Sequence, residues 1–376
     1  MDIRVYKSFD KELRLLWSNF EQTANSLAFQ SYEWQHYWYN TVGQPKFSID
    51  LCIVACFAEG ELQAIFPFGV RHVLGARVLE FLGVGEADYS APLIGVNVSA
   101  QKFRDIWNLV MEAVSEHDVI HFKNIPQQIG KNNNFLLENI SAKEVGLTYS
   151  VTLPDTCADY KLKLSKRLIK DNRVMVRKLS KLGQLKFLVL ENKEEFNKVL
   201  CKTISQKEDR YVSSGARNIF LNKAVKEFYT GIYSLLEKGF QVHLSALMLN
   251  DEVLATHLGI RHRDQFYYLM PTFNHDSKWK KFSLGRIHLE KLTCWAINNG
   301  IRNFDFTIGG EVYKRIWCNT EMPIFTYLRL RSIKGSFYCV FIFLLEWIKS
   351  KPYLKRVAAR VFNFKQKLQI LRKILY

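Results

Sequence analysis

Short runs of alternating and continuous apolar residues fall in the same order over two separate stretches of this 376-residue chain. In the first stretch, residues 49–57 read as a strand, Ala58-Glu59-Gly60 as a turn, 61–70 as a second strand and 76–82 as a third. A loop follows at 83–95 (GVGEADYSAPLIG), then a helix over 100–116 and a strand at 118–122. In the second stretch, 241–249 is a strand, Asn250-Asp251 a tight turn, 252–261 a strand, 262–264 a turn and 265–270 a third strand. A glycine-containing loop, a helix ending at Gly300 and a strand at 302–307 complete it. The order β-β-β-loop-helix-β thus occurs twice, roughly 190 residues apart, and a repeat of that size implies two domains of like topology.

The two copies differ at the loop before the helix. In the second copy the stretch 281–300 reads KFSLGRIHLEKLTCWAINNG, with Leu289, Leu292, Trp295 and Ala296 at helical spacing and Gly300 where a C′ glycine belongs. The loop Phe282-Ser283-Leu284-Gly285 opens this helix. The first N–H groups of a helix lack intrahelical partners. With the positive end of the dipole, Lys280, Lys281 and Arg286 they make an anion site, against the plainer reading of an ordinary N-cap. The first copy has no such loop, so the anion site belongs to the second copy alone.

Outside the repeat, residues 10–43 pattern as helix, with Ser31 as a cap and Trp34, Tyr37 and Trp38 on one face, an aromatic cluster of the core type. Residues 161–186 carry ten Lys/Arg against one acid, Asp171, with a broken apolar stripe at Leu164, Leu168, Met175 and Leu179. This segment is either the solvated face of a bridging helix or a clamp for an anionic substrate or lipid headgroups. The glycine pair Gly309-Gly310 frees the backbone after the last strand, and Glu311, Tyr313 and Lys314 follow at once. The run FYCVFIFLL at 337–345 is too short to span a bilayer, which leaves a core segment or an interfacial anchor. The tail, 349–376, has nine Lys/Arg, no acid and an apolar face, the pattern of a membrane-surface helix or of a helix packed on its own domain.

Composition narrows the partners. The net charge of +17 favours acidic ones: nucleic acid, an anionic membrane surface, or a polyanionic cofactor or substrate. Seven scattered cysteines without metal-site spacing suit buried reduced thiols in a cytoplasmic compartment rather than a disulfide framework. The N-terminus lacks the apolar core of a secretory signal. No Walker loop, HExxH, GxSxG or zinc pattern is present.

The collinear segments FQSYEWQHYW (29–38), LEFLGVGEADYSAPLI (79–94), SKRLIKDNRVMVRKLSKLG (165–183), KFSLGRIHLEKLTCWAINNG (281–300) and FDFTIGGEVYKRIW (304–317) resemble the CelD-like family of GNAT-fold acetyltransferases, which is related to the FemAB peptidyltransferases. The resemblance covers about residues 1–330. It implies an α/β (α+β) tandem GNAT-like fold, each domain a mixed, mostly antiparallel sheet flanked by helices. The domains would be 1–150, without a phosphate loop, and 151–330, with the acyl-CoA site, followed by an apolar run and basic C-terminal helix at 331–376. It implies acetyl-CoA or another acyl-CoA as co-substrate without a metal, and a sugar or cell-envelope polysaccharide precursor as acceptor. The place implied is cytoplasmic or peripheral on the inner membrane face, the tail meeting anionic lipid. Two alternatives are a FemAB-like transferase using aminoacyl-tRNA and a non-catalytic membrane-associated scaffold.

In GNAT domains the loop before the helix holds the CoA pyrophosphate, and here it matches Phe282, Ser283, Leu284, Gly285 and Arg286. The common form has a basic residue or Gln followed by two small residues, mostly glycine; this loop has one glycine. The resemblance also implies that the strand 252–261 splays from the strand before the loop to admit the thioester.

Acyl transfer to an amine requires a base, a donor to the thioester carbonyl and a group that protonates or stabilises the departing thiolate. Glu311 is the candidate base and Tyr313 the candidate acid, with Asp305 orienting the substrate. Lys314 and Arg315 are placed to neutralise a phosphate or sugar acid, and Lys166, Arg167 and Arg173 of the basic segment to hold an anionic substrate. Against these stand plainer readings: a surface salt bridge for Glu311 and Lys314, a core position for His257, which is otherwise an alternative base, and inert thiols for Cys294 and Cys318.

Overall fold

A computed structural model describes residues 1–351 except 115, together with residues 353 and 357; for 349 and 350 it describes the backbone alone. Met1–Leu147 and Met322–Lys351 form one compact unit, and Thr148–Glu321 belong to a second.

In the first unit, β1 (Asp2–Tyr6), β2 (Asp50–Ala58), β3 (Glu61–Val73) and β4 (Ala76–Phe81) pair in that order, all antiparallel, and β4 runs parallel to β5 (Val119–Pro126). β2 and β3 are nearly continuous apolar runs and are buried along most of their length, Cys52 and Cys56 among them. The expected long N-terminal helix is broken. α1 (Lys11–Thr23), capped by Asp10, ends before a single turn at Ala28–Gln30, and α2 (Tyr32–Trp38) starts anew. Ser31 precedes α2, but its hydroxyl donates back to the Ala28 carbonyl and caps nothing. Trp34, Tyr37 and Trp38 are buried as the pattern indicates, and Trp38 Nε1 donates to Glu86 at 2.9 Å. α3 (Ala100–Ala113) joins β4 to β5; its start is closed by Ser99, whose hydroxyl accepts from the Lys102 N–H.

The second unit repeats the plan. Its strands β6 (Lys143–Thr152, in this unit from Thr148 on), β7 (Leu185–Val189), β8 (Val242–Leu249), β9 (Glu252–His262), β10 (Gln265–Phe273) and β11 (Asn303–Ile308) lie in the order β6-β11-β10-β9-β8-β7. All pairs are antiparallel except β10 with β11, as β4 with β5 in the first unit. Among its helices are α4 (Cys157–Lys163), α5 (Lys166–Ser180), α6 (Lys193–Ser214) and α7 (Leu284–Asn298). α5 is the basic segment. It turns Leu168, Asn172 and Leu179 inward, and Asn172 Nδ2 donates to Glu290 of α7 at 2.6 Å. α6, which the sequence analysis left unassigned, begins at an Asn192 cap and ends at a left-handed Gly215. Its Thr203 hydroxyl donates to Thr256 Oγ1 of β9 at 2.8 Å.

One expectation about the thiols is overturned. Cys157 and Cys294 form a disulfide joining the start of α4 to α7, with Cα atoms 5.0 Å apart, inside the range such a bond requires. The two are separated by 137 residues, so spacing along the chain carried no sign of the bond.

After a short turn, α8 (Lys314–Trp317), the chain leaves the second unit along β12 (Thr320–Leu330), whose residues 324–330 pair antiparallel with β5. α9 (Ile333–Ser350) then packs on the first unit, so 322–351 complete that unit rather than forming a separate tail. Most of the basic tail lies outside the described residues. Among the described residues no helix is long and apolar enough to cross a membrane.

Candidate acyl-transfer site

The paired part of β10 and β11 is short. Gln265, Phe266 and Tyr267 face Asn303, Phe304 and Asp305, and there the ladder ends, although β10 runs on to Phe273. β11 is bent away at this point. Thr307 takes a left-handed backbone (φ 57°), an outlier for a β-branched residue, and its N–H donates to Asp305 Oδ1 at 2.7 Å. Gly309 follows at φ 131°. A gap therefore opens between β10 and β11. This corrects the expected place of the splay: β9 stays paired with β10 from Ala255 to His262, with one bulge at Leu258/Gly259, and His257 has a strand partner on either side.

β10 leads into the anion loop. Residues 277–282 form a tight helical turn, held by Glu252, which accepts from Trp279 Nε1 at 2.8 Å, Asn274 Nδ2 at 3.1 Å and Lys278 Nζ at 3.2 Å. The side chains of Phe282 and Leu284 are buried in the core with Trp279, Leu254 and Ile287, so only their backbone is offered outward. Ser283 between them is exposed and left-handed (φ 53°), and its side chain makes no cap bond. The first intrahelical bonds run from the N–H groups of Arg286 and Ile287 to the Ser283 carbonyl, so those of Leu284 and Gly285 stand outside the ladder. Arg286 is half-buried, its Nε without a hydrogen-bond partner. A Cβ on Gly285 would meet only the Phe273 ring, at 3.4 Å. The contrast with the closed start of α3 is direct: one helix spends a serine on its own N–H groups and the other leaves them bare. At the far end of α7, Gly300 is left-handed (φ 76°), the C′ glycine that the spacing indicated.

The residues after β11 turn back toward the sheet. Glu311 pairs with Lys314 at 3.1 Å, and Lys314 is buried, donating also to the Ile308 carbonyl at 2.7 Å. Its charge is thus committed to the turn. Arg315 is exposed and pairs with Glu321 at 3.3 Å. Tyr313 is half-buried; burial, and then the Glu311 charge, push its hydroxyl well above the ordinary tyrosine range. Tyr268 of β10 is moved the same way by burial, with Tyr313, Arg210 and Glu311 all within electrostatic reach. Lys207 of α6 also senses Arg210 and Glu311, and burial above all lowers it to about 8. Lys207, Arg210, Tyr268, Glu311 and Tyr313 therefore form one electrostatic cluster. Sequence reasoning missed the first three; the one signal was Lys207 and Arg210 sharing a helix face three residues apart.

Asp305 is buried, accepting from Gln265 Nε2 at 3.1 Å as well as from Thr307, so it holds the bend of β11. His257 is completely buried and stacked on Tyr268 at 4.1 Å between centroids, and neither ring nitrogen has a hydrogen-bond partner. Burial, then the neighbouring His243 and His288, hold it neutral. Burial likewise lowers His243 and His288 to about 3. Cys294 is in the disulfide, and burial first of all pushes the Cys318 thiol up to about 12. Lys166, Arg167 and Arg173 are exposed on α5.

The half-buried Lys207 gives a pH-dependent expectation. Between about 8 and 10.5 the unfolded chain keeps a proton that the folded chain has lost, so stability rises with pH through that window; below it the partly desolvated cation is a constant penalty. Lys207→Met is expected to raise Tm at pH 7 by a few degrees, of the order that ~1 kcal/mol produces, and the gain to disappear above pH 10.5. Thermal melts at pH 7 and pH 11 check this; equal gains at both would mean that the amine is solvated in the folded chain.

The family described as an acetyltransferase (GNAT) domain matches residues 166–315. FemX, in its crystal structure, is similar in fold: TM-score 0.62 at 12% identity, over 90% of this chain and 99% of that one. L-PGS from Bacillus licheniformis has TM-score 0.50 at 10% identity, over 88% of this chain and 96% of that one. No curated protein matches. Fold and family match together define the class of the molecule, an acyltransferase enzyme of the GNAT fold.

Proposed function

We propose that the second unit is a CelD-like acyltransferase that moves an acyl group from an acyl-CoA, acetyl-CoA being the simplest, to an amine or hydroxyl of a sugar or cell-envelope precursor. The observation that carries this reading is the uncapped start of α7 at the end of β10, on the strand whose partner β11 has turned away. Bare N–H groups at Leu284 and Gly285 with Arg286 beside them suit a diphosphate, and the gap suits the thioester arm leading from it. The residues supply the rest: Glu311 takes the acceptor's proton, Tyr313 gives one to the leaving thiolate, and Asp305 fixes the bend that opens the gap. His257 is a neutral wall of the site and the alternative base. Calorimetry with acetyl-CoA and longer acyl-CoAs tests this: saturable binding, competed by free CoA, is expected, and no binding to any of them overturns it.

A second reading rests on the exposed basic row of α5, where Lys166, Arg167, Lys170, Arg173, Arg177 and Lys178 all face solvent. A donor of the aminoacyl-tRNA type would bind there with steep salt dependence. Weak, salt-insensitive binding of charged tRNA rules it out. The basic tail, 349–376, is proposed to meet anionic lipid on the cytoplasmic side of a membrane, as an enzyme's anchor or, in the third reading, as that of a scaffold.

A further inference from the structure

α9 is fixed to the first unit by one narrow edge. At Gly335 a Cβ would meet Val119 Cγ2 at 2.5 Å and the Asp118 carbonyl at 2.6 Å, so only glycine lets the helix lie this close to β5. Three residues on, Tyr338 is buried among Ala76, Val78 and Val119, and its hydroxyl hydrogen-bonds His121 Nδ1 at 2.6 Å. Ser332 ties down the helix start by donating to Asp118 Oδ1 at 2.5 Å. Cys339 and Ile342 complete this edge.

The rest of the helix surface is not what a water-facing helix carries. Phe337, Val340, Phe341, Phe343, Leu344 and Trp347 are between 38% and 70% exposed, at spacings of three and four that keep them together. Glu346 is the one acid in the helix. Cations flank the apolar stretch on both sides: Arg329, Arg331 and Lys334 before it, all exposed, and in the sequence Lys349, Lys351, Lys355, Arg356 and Arg360 after it. An apolar middle between cationic ends is the arrangement that lies in the interface of an anionic bilayer, rings and aliphatic chains below the headgroups and ammonium and guanidinium groups among them. A second protein copy would have to bring its own acids to meet these cations, and this chain, at +17, is poor in them.

We infer that the exposed face of α9, rather than the basic tail alone, is the surface by which this protein docks on an anionic lipid bilayer. This deepens the membrane reading of the tail and is independent of the acyl-CoA reading. The helix lies in the plane of the headgroups, the Gly335–Tyr338 edge holds the first unit to it, and the tail adds long-range attraction.

The test uses the full-length chain and vesicles of phosphatidylcholine, with or without phosphatidylglycerol. The wild type is expected to co-sediment with the anionic vesicles only, and brominated lipid to quench fluorescence that is lost in Trp347→Phe. The triple substitution F337S/F341S/L344S removes only exposed side chains, so its melt should be unchanged while vesicle affinity falls at least about tenfold. K355Q/R356Q/R360Q should weaken binding less and flatten its salt dependence. If the tail variant loses binding and the face variant keeps it, the tail reading stands and the inference fails. If the wild type ignores anionic vesicles, both fail. If the wild type is a dimer in lipid-free ultracentrifugation and the face variant a monomer, the occupant is a second copy and the inference is overturned.

Discussion

Tyr313→Phe is expected to lower kcat for acyl transfer by about 10²- to 10³-fold while leaving KM for the acyl-CoA within about twofold. The change removes one hydroxyl and keeps the ring that fills the half-buried position. Burial and the charge of Glu311 keep that hydroxyl protonated far beyond the working pH, so it is always a donor and never a base. A group of this kind acts only when the thiolate leaves, which is why the loss should fall on kcat and not on binding. Steady-state kinetics with thiol release as readout decide it. A kcat within a factor of about three of wild type would remove Tyr313 from the chemistry and leave Tyr268, the other raised tyrosine of the cluster, as the donor.

Arg286→Glu is expected to weaken acyl-CoA binding by about 100-fold, roughly 2.7 kcal/mol. The substitution separates function from folding. An acid in the first turn complements the helix dipole, so α7 should be as stable as before or slightly more so. The same carboxylate stands beside the bare N–H groups of Leu284 and Gly285 and repels any diphosphate brought to them. Calorimetry and a thermal melt are read together: unchanged Tm with lost affinity fits the anion site, and unchanged affinity places the diphosphate elsewhere. A lowered Tm with lost affinity would mean that Arg286 supports the loop rather than the ligand.

The element order of both units was legible because strand alternation and turn chemistry are local. The hairpin at Asn250-Asp251 and the helix end at Gly300 need only a few neighbouring residues to specify them. The Gly-containing entry to α7 was legible for the same reason, since it is written in four consecutive residues; that Ser283 caps nothing is seen only in the structure. The long helix α6 went unread although Phe196, Val199, Leu200, Thr203 and Ile204 line its buried side at helical spacing; its place is set by packing Thr203 against β9. Lys207 and Arg210 went unread with it. The Cys157–Cys294 bond and the return of β12 to the first unit were likewise hidden, since each depends on parts of the chain far apart in sequence.

The splay teaches the same point at one residue. The sequence names Thr307 as an ordinary strand residue; only in the fold does it become the left-handed bend, with Asp305 holding its N–H, that parts β11 from β10. By itself, then, the sequence determined two units of like topology, a Gly-containing entry to a helix in the second alone, and a chain rich in cations. Tertiary structure decided where the strands part, that Lys314 pairs with Glu311 and the Ile308 carbonyl, and which charges gather beside Tyr313. Hydrogen-bond caps and turns are satisfied within a few residues of backbone, whereas burial, strand parting and electrostatic reach depend on what the rest of the chain brings alongside.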